Sequence, residues 1–335
     1  MKYYNGFRGC ATVGERIRRS ALGLTAVLGM VLGMAGTGVA TAAEDAEDSA
    51  RDPISVGAYP RGVAFTPDGT RAYVANRNDG SVSVIETAGN NVTATVRNGS
   101  SPFGVAVTPD GDRAYVTNET GWVTVIETAR NTVIDSVPVG SSATGLDFTP
   151  DGSRAYVATR DGVSVIETAG NTVIDTVPAG ESPWGLDITP DGSHAYVTAG
   201  DDVLVIETAG NSVIDIVPTG GPLNGVTVTP DGSRAYVTNA VDETMSVIET
   251  AGNTVIDTVP AKGGPNEVAV TPDGTRAYVA NSIDGSVSIF ETAGHTVIDT
   301  VPAGRSTRAL AISPDGTHAY ATNTSDDSIS VIGIG

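Results

Sequence analysis

The 335-residue chain holds one cysteine, Cys10, and three histidines, His194, His295 and His318. Cys10 lies ahead of an apolar run, so the chain beyond that run has no disulfide and no catalytic thiol. The scarcity of histidine argues against a Ser-His-Asp triad, a histidine general base and a histidine zinc site. Aromatic residues make up 5%, so a core stable without cross-links must be large and mainly aliphatic. Cations are outnumbered, with 19 Lys and Arg against 39 Asp and Glu and a net charge of −20. Such a field repels phosphate backbones and anionic lipid heads, so nucleic acid is not the expected partner.

What is present begins with a leader. Arg16, Arg18 and Arg19 precede the uncharged run from Ala21 to Val39, and Ala40-Thr41-Ala42 supplies small residues for cleavage. Residues 1–42 read as a signal peptide, with an uncleaved anchor as the alternative. Arg18-Arg19 could also belong to a twin-Arg signal. The leader has five cations against Glu15, a net of +4, which leaves −24 for the remainder. Residues 43–52 read as an acidic solvated spacer. A secreted or extracytoplasmic monomer is expected, with no membrane span after cleavage.

Val, Thr and Gly are plentiful, which suits strands joined by tight turns. One sentence recurs: TPDGDRAYVTN at 108–118, TPDGSRAYVTN at 229–239 and TPDGTRAYVAN at 271–281. Its prolines are Pro67, Pro109, Pro150, Pro190, Pro230, Pro272 and Pro314, each 40 to 42 residues after the last. Each unit holds four strand-like runs, in the fourth unit Gly185–Thr189, His194–Thr198, Val203–Glu207 and Ser212–Val217. The Thr-Pro-Asp-Gly element between the first two is a tight hairpin turn. Seven four-stranded units of this length predict an all-β, seven-bladed β-propeller over 53–335. The last unit ends after its third strand, so Ile54 and its neighbours are expected to complete the seventh blade and close the ring.

Tyr115-Val116-Thr117-Asn118 and Tyr236-Val237-Thr238-Asn239 carry a resemblance to the YVTN β-propeller family, covering about 54–335. The resemblance implies the seven-bladed fold and an exported or surface-layer location. It constrains function weakly, because propellers bind, scaffold and catalyse.

The seven units act as controls for one another. Length varies only between the second and third strands, so variation should gather on the face holding those loops and the blade-to-blade links. Six residues before each turn proline stand Arg61, Phe103, Thr144, Trp184, Asn224, Asn266 and Arg308. With Glu267 beside them, these are the candidate ligand-binding residues, ringing the mouth of the central channel. Tyr59, Glu181, Lys262 and Arg305 also break the pattern, and Trp122 opens a third strand. Aromatic and Arg side chains carry much of the energy in typical interfaces.

Residues repeated in every blade read as frame. Asp231 and Arg234 read as a turn plus a surface ion pair. Asn76, Asn118, Asn239, Asn281 and Asn323 read as shaping the longer loops. The histidines fall on the opposite face. Asp-rich loops such as 76–80 and 326–327 offer oxygen ligands of the type calcium takes, without EF-hand spacing. No metal site and no cofactor are expected. The favoured function is a binding protein whose mouth face takes a protein, a glycan or a small molecule. The alternatives are a lactonase-, lyase- or cyclase-like enzyme resting on Arg61, Arg308, Glu267 and Glu181, and a structural surface-layer module.

Overall fold

The computed structural model describes residues 49–180 and 182–335. The signal peptide read over 1–42, and Glu181, lie outside the described residues. No helix among the described residues is long and apolar enough to cross a membrane.

Seven antiparallel sheets follow one another along the chain. Blades I to VI span 60–97, 102–138, 146–177, 183–218, 226–260 and 265–302, and blade VII contains 307–333. In blade IV the strands are Pro183–Ile188, His194–Ala199, Asp202–Glu207 and Ser212–Pro218, within two residues of the four runs read from sequence. Ring closure follows the expected route, because Ile54 and Ser55 pair with Ile329 and Ser328 of the last strand. Ser49 and Ala50 add a second pairing, to Gly333 and Ile332. Both lie in the segment read as a solvated spacer.

The core sits between blades, which explains why the repeat is so constant. The seven repeat tyrosines, Tyr73, Tyr115, Tyr156, Tyr196, Tyr236, Tyr278 and Tyr320, are all fully buried. Each reaches toward the next blade; Tyr115 meets Phe148 edge to face at 5.0 Å. Tyr73, Tyr156 and Tyr196 donate to the side-chain oxygens of Asn131, Asn211 and Asn253, at 2.7, 2.6 and 2.6 Å. Tyr115 and Tyr320 do the same to Asn171 and Asn90. These asparagines hold positive φ, which asparagine tolerates better than most residues.

Among the described residues the expected Asp231–Arg234 surface ion pair does not form. Asp231 instead accepts from the Thr229 hydroxyl and from the backbone and hydroxyl of Ser233, closing its own turn. Arg234 reaches the next blade and donates to the Thr292 carbonyl at 2.9 Å. Arg71, Arg113 and Arg154 bridge to Thr128, Thr168 and Thr208 likewise. A carboxylate that takes the turn's own donors is stabilised locally, which frees the guanidinium for a neighbour's carbonyl. The strand-end asparagines meet the expectation in part: Asn118 donates to the Val116 carbonyl and, across its loop, to that of Trp122. Asn76 and Asn323 brace serine hydroxyls on the third strand, and Asn118 braces the Thr124 hydroxyl. Only Asn239 among them accepts from loop backbone, at Val241 and Asp242.

Candidate functional site

The innermost strands run from the variable face toward the turn face. In blades III and V these strands are short, Leu146–Phe148 and Val226–Val228. Their entry residues turn to the neighbouring blade instead, with Gly145 donating to the Trp184 carbonyl and Gly225 to the Asn266 carbonyl, both at 2.9 Å. Close approach of adjacent inner strands requires glycine here. A Cβ on Gly104 would stand 2.5 Å from the Thr144 carbonyl oxygen, and one on Gly145 2.6 Å from that of Trp184.

At the mouth of the channel is a cavity of about 160 Å³. Its lining includes Arg61, Phe103, Thr144, Trp184, Asn266, Glu267 and Arg308. Seven of the eight residues singled out from sequence therefore meet at one cavity. Asn224 is not among the lining residues; its amide donates to the Pro265 carbonyl at 3.1 Å. Thr144 touches the cavity, but it is buried and its hydroxyl already donates to the Trp184 carbonyl at 3.0 Å.

The aromatic side of the mouth is ordered by contacts between rings and a cation. Phe103 and Trp184 meet edge to face at 5.0 Å. The Arg61 guanidinium lies 4.9 Å from the Phe103 ring centre and 5.3 Å from that of Tyr59. Arg77 approaches the Tyr59 ring at 5.8 Å and pairs with Glu119 at 2.7 Å. Tyr59 holds φ of 58° where blades II, III, IV and VII have serine. Trp122 is 45% exposed and lies outside the cavity.

Among the described residues neither arginine of the cavity forms an ion pair. The Nε atoms of Arg61 and Arg308 are buried without hydrogen-bond partners. Burial, followed by the nearby Arg308 charge, lowers the Arg61 pKa to about 10. A buried donor without a partner costs free energy, so a ligand that supplies an acceptor recovers it.

The channel also contains acids that the sequence reading missed. Asp147 and Asp187 occupy the position three residues before the turn proline, where other blades have Ala64, Ala106, Thr227, Ala269 and Ala311. Asp147 accepts from the Ile188 backbone at 3.0 Å, and Asp187 from that of Val228 at 2.6 Å, tying blade III to IV and IV to V. Burial, then the Asp187 charge, pushes Asp147 well above the carboxylate range; burial also raises Asp187. Glu267 touches channel space yet is enclosed by protein, and burial followed by the Asp187 charge raises it to about 8. The signal that marks these aspartates in the sequence is the same one, a charged residue interrupting a repeat position that is otherwise Ala or Thr.

Among the described residues no group of three or more His, Cys, Asp or Glu could hold a metal ion. The loop acids considered as calcium ligands bind protein. Asp79 accepts from the Ala58 backbone, Asp327 from that of Tyr59, and Asp326 pairs with Arg305 at 2.5 Å.

Residues 187–335 match a family model described as Lactonase, 7-bladed beta-propeller. Among solved structures, Kuenenia stuttgartiensis hydrazine synthase is similar, with a TM-score of 0.76 and 24% identity over 83% of this chain and 96% of that chain. At that identity the likeness shows the fold alone. No curated protein matches. The chain is a seven-bladed β-propeller whose C-terminal part is similar to the lactonase propellers.

Proposed function

We propose that this propeller binds a small anionic molecule at the mouth of its central channel. The observation that carries the reading is the Arg61–Arg308 pair: both residues line one cavity, and the Nε of each is buried without a hydrogen-bond partner. Two like charges held together in a partly desolvated site are unfavourable unless an anion joins them. Phe103 and Trp184 supply an apolar wall for the body of the ligand, as in other small-molecule sites. The reading narrows the partner from protein, glycan or small molecule to the last of these.

Calorimetric titration with butyrate and with inorganic phosphate tests it. Binding of at least one is expected, weakened about 100-fold in Arg61→Ala/Arg308→Ala, since a hydrogen bond to a charged group contributes roughly 1.5–3 kcal/mol. No binding of either anion at millimolar concentration would sink the reading.

A second reading is catalysis on a small lactone. It is favoured by the lactonase match over 187–335 and by Glu267, a proton-holding carboxyl lining the same cavity as both arginines. The arginines would stabilise an oxyanion, with Glu267 as proton donor. A panel of simple lactones, with Glu267→Gln as control, tests it; turnover unaffected by Glu267→Gln would remove Glu267 from the chemistry. Export to an extracytoplasmic location is part of the same proposal and rests on the sequence of residues 1–42. Recovery of the chain outside the cytoplasm, shortened by those residues, is the expected result.

A further inference from the structure

The mouth cavity has two chemically opposite sides. Arg61 and Arg308 come from blades I and VII, which adjoin at ring closure. Glu267 comes from blade VI, with Asp187 of blade IV and Asp147 of blade III deeper in the channel. Each aspartate accepts from a backbone N–H group of the next blade. Glu267 has no such partner. Among the described residues its carboxyl receives no hydrogen bond and lies in no ion pair.

Its position is unusual within the repeat. Five residues before the turn proline stand Gly62, Gly104, Gly145, Gly185 and Gly225, then Glu267 and Ala309. The Glu267 side chain extends over Gly225, whose missing Cβ makes the room. A Cβ on Gly225 would stand 2.9 Å from the Glu267 Cα and 3.0 Å from its Oε1. Nearby charge reaches Glu267 from Asp187, and neither arginine offsets it. The cavity is thus lined by two arginines and by a carboxyl that, among the described residues, pairs with neither.

We infer that the ligand of this mouth is a small carboxylate that also carries an amine. Its carboxylate would lie against the Arg61 and Arg308 guanidinium groups, and its ammonium on Glu267, with Asp187 behind. The aromatic pair Phe103–Trp184 borders the body between them. The docked ammonium takes the place of the proton that Glu267 otherwise holds, and that proton leaves to solvent. Glu267 is then the specificity-determining residue. The inference rests on the anion-binding reading above and adds the second charge.

Titration of the full propeller with butyrate and 4-aminobutyrate at neutral pH separates the two ideas. The skeletons match and only the amine differs. The expected result is 4-aminobutyrate binding at least about tenfold tighter than butyrate, with the preference lost in Glu267→Gln. Equal affinities, tighter butyrate, or a preference that survives Glu267→Gln would overturn the inference and leave anion binding standing. Binding of neither compound would overturn both. The melting temperature of Glu267→Gln checks that it folds, and the wild-type ratio decides alone if it does not.

Discussion

The Tyr320 hydroxyl donates to the side-chain oxygen of Asn90, across the seam where blade VII meets blade I. The same bond joins four other described seams, from Tyr73, Tyr115, Tyr156 and Tyr196. At the seam between blades V and VI, His295 stands where the asparagine should be, and the Tyr236 hydroxyl has no hydrogen-bond partner, although Arg234 lies beside it. Tyr320→Phe should cost roughly 1 kcal/mol by removing a buried hydrogen bond. Tyr236→Phe should cost clearly less. Thermal melting of the two variants side by side checks the contrast.

His295→Asn should raise stability by about 1 kcal/mol, read as a melting shift of a few degrees. His295 holds φ of 51°, a conformation that asparagine accepts readily. The histidine contacts Asp257 at 3.0 Å, a role that Asn253 fills toward Asp215 in the preceding blade. Asparagine would keep that contact and give Tyr236 its acceptor. An unchanged or lower melting temperature would contradict this account.

At the mouth, stability and binding should move in opposite directions. Arg308→Met removes a like charge that bears on Arg61 and keeps most of the side-chain volume. The melting temperature should hold or rise, while affinity for small anions falls at least about tenfold, the loss of one charged hydrogen bond. A large drop in melting temperature would mean that Arg308 serves the frame.

The pH profile of stability should have two limbs of opposite sign. Asp147, Asp187 and Glu267 have raised folded pKa values, so their contribution is complete at low pH and is lost as pH rises through those values. The turn aspartates are depressed by hydrogen bonds from the Thr or Ser two residues earlier, Asp191 to about 2. Their contribution is present above the ordinary carboxylate value and is lost as pH falls through the depressed one. Melting temperature should climb from about pH 8.5 to about pH 5 and fall below about pH 4. Glu267→Gln should flatten the upper limb near pH 8. Relief of general acidic repulsion also raises stability on acidification, so the difference between wild type and variant is the measurement that counts.

Gly225→Ala should destabilise by roughly 1–3 kcal/mol, the usual cost of overpacking. The added methyl would meet the Asn266 carbonyl at 2.9 Å as well as Glu267. Gly99→Ala is a useful contrast, because a Cβ there meets nothing within 4 Å. Gly99 holds φ of 97°, however, so its cost is one of backbone strain alone.

The ring was legible in the sequence because blade number, strand order and closure all follow from a repeat of 40 to 42 residues. The mouth was legible at Arg61, Phe103, Trp184 and Arg308, since large or charged residues interrupt one repeat position. The bonds between blades were not. Tyr73 and Asn131 lie 58 residues apart, more than one full repeat, and neither side chain announces its partner. Arg234 was matched to the nearest acid in sequence, but the turn had already claimed that acid. Asp147 and Asp187 were not legible as channel residues, because a polar residue within a strand can face water or the channel and the sequence does not say which. A channel-facing position is enclosed, and there a carboxyl becomes a lock between strands.

Closure by Ile54 and Ser55 against Ile329 and Ser328 also has a consequence for timing. The last strand, Ser328–Gly333, lies between its own predecessor, His318–Asn323, and residues from the opposite end of the described chain. Six blades can pair their strands as they emerge, through local hairpins that form quickly. The seventh must wait for the final residues and then search across nearly the whole chain length, the kind of contact that slows folding. Until that step, the flank of blade I that faces blade VII, including the Asn90 acceptor, stays open to water and to other chains.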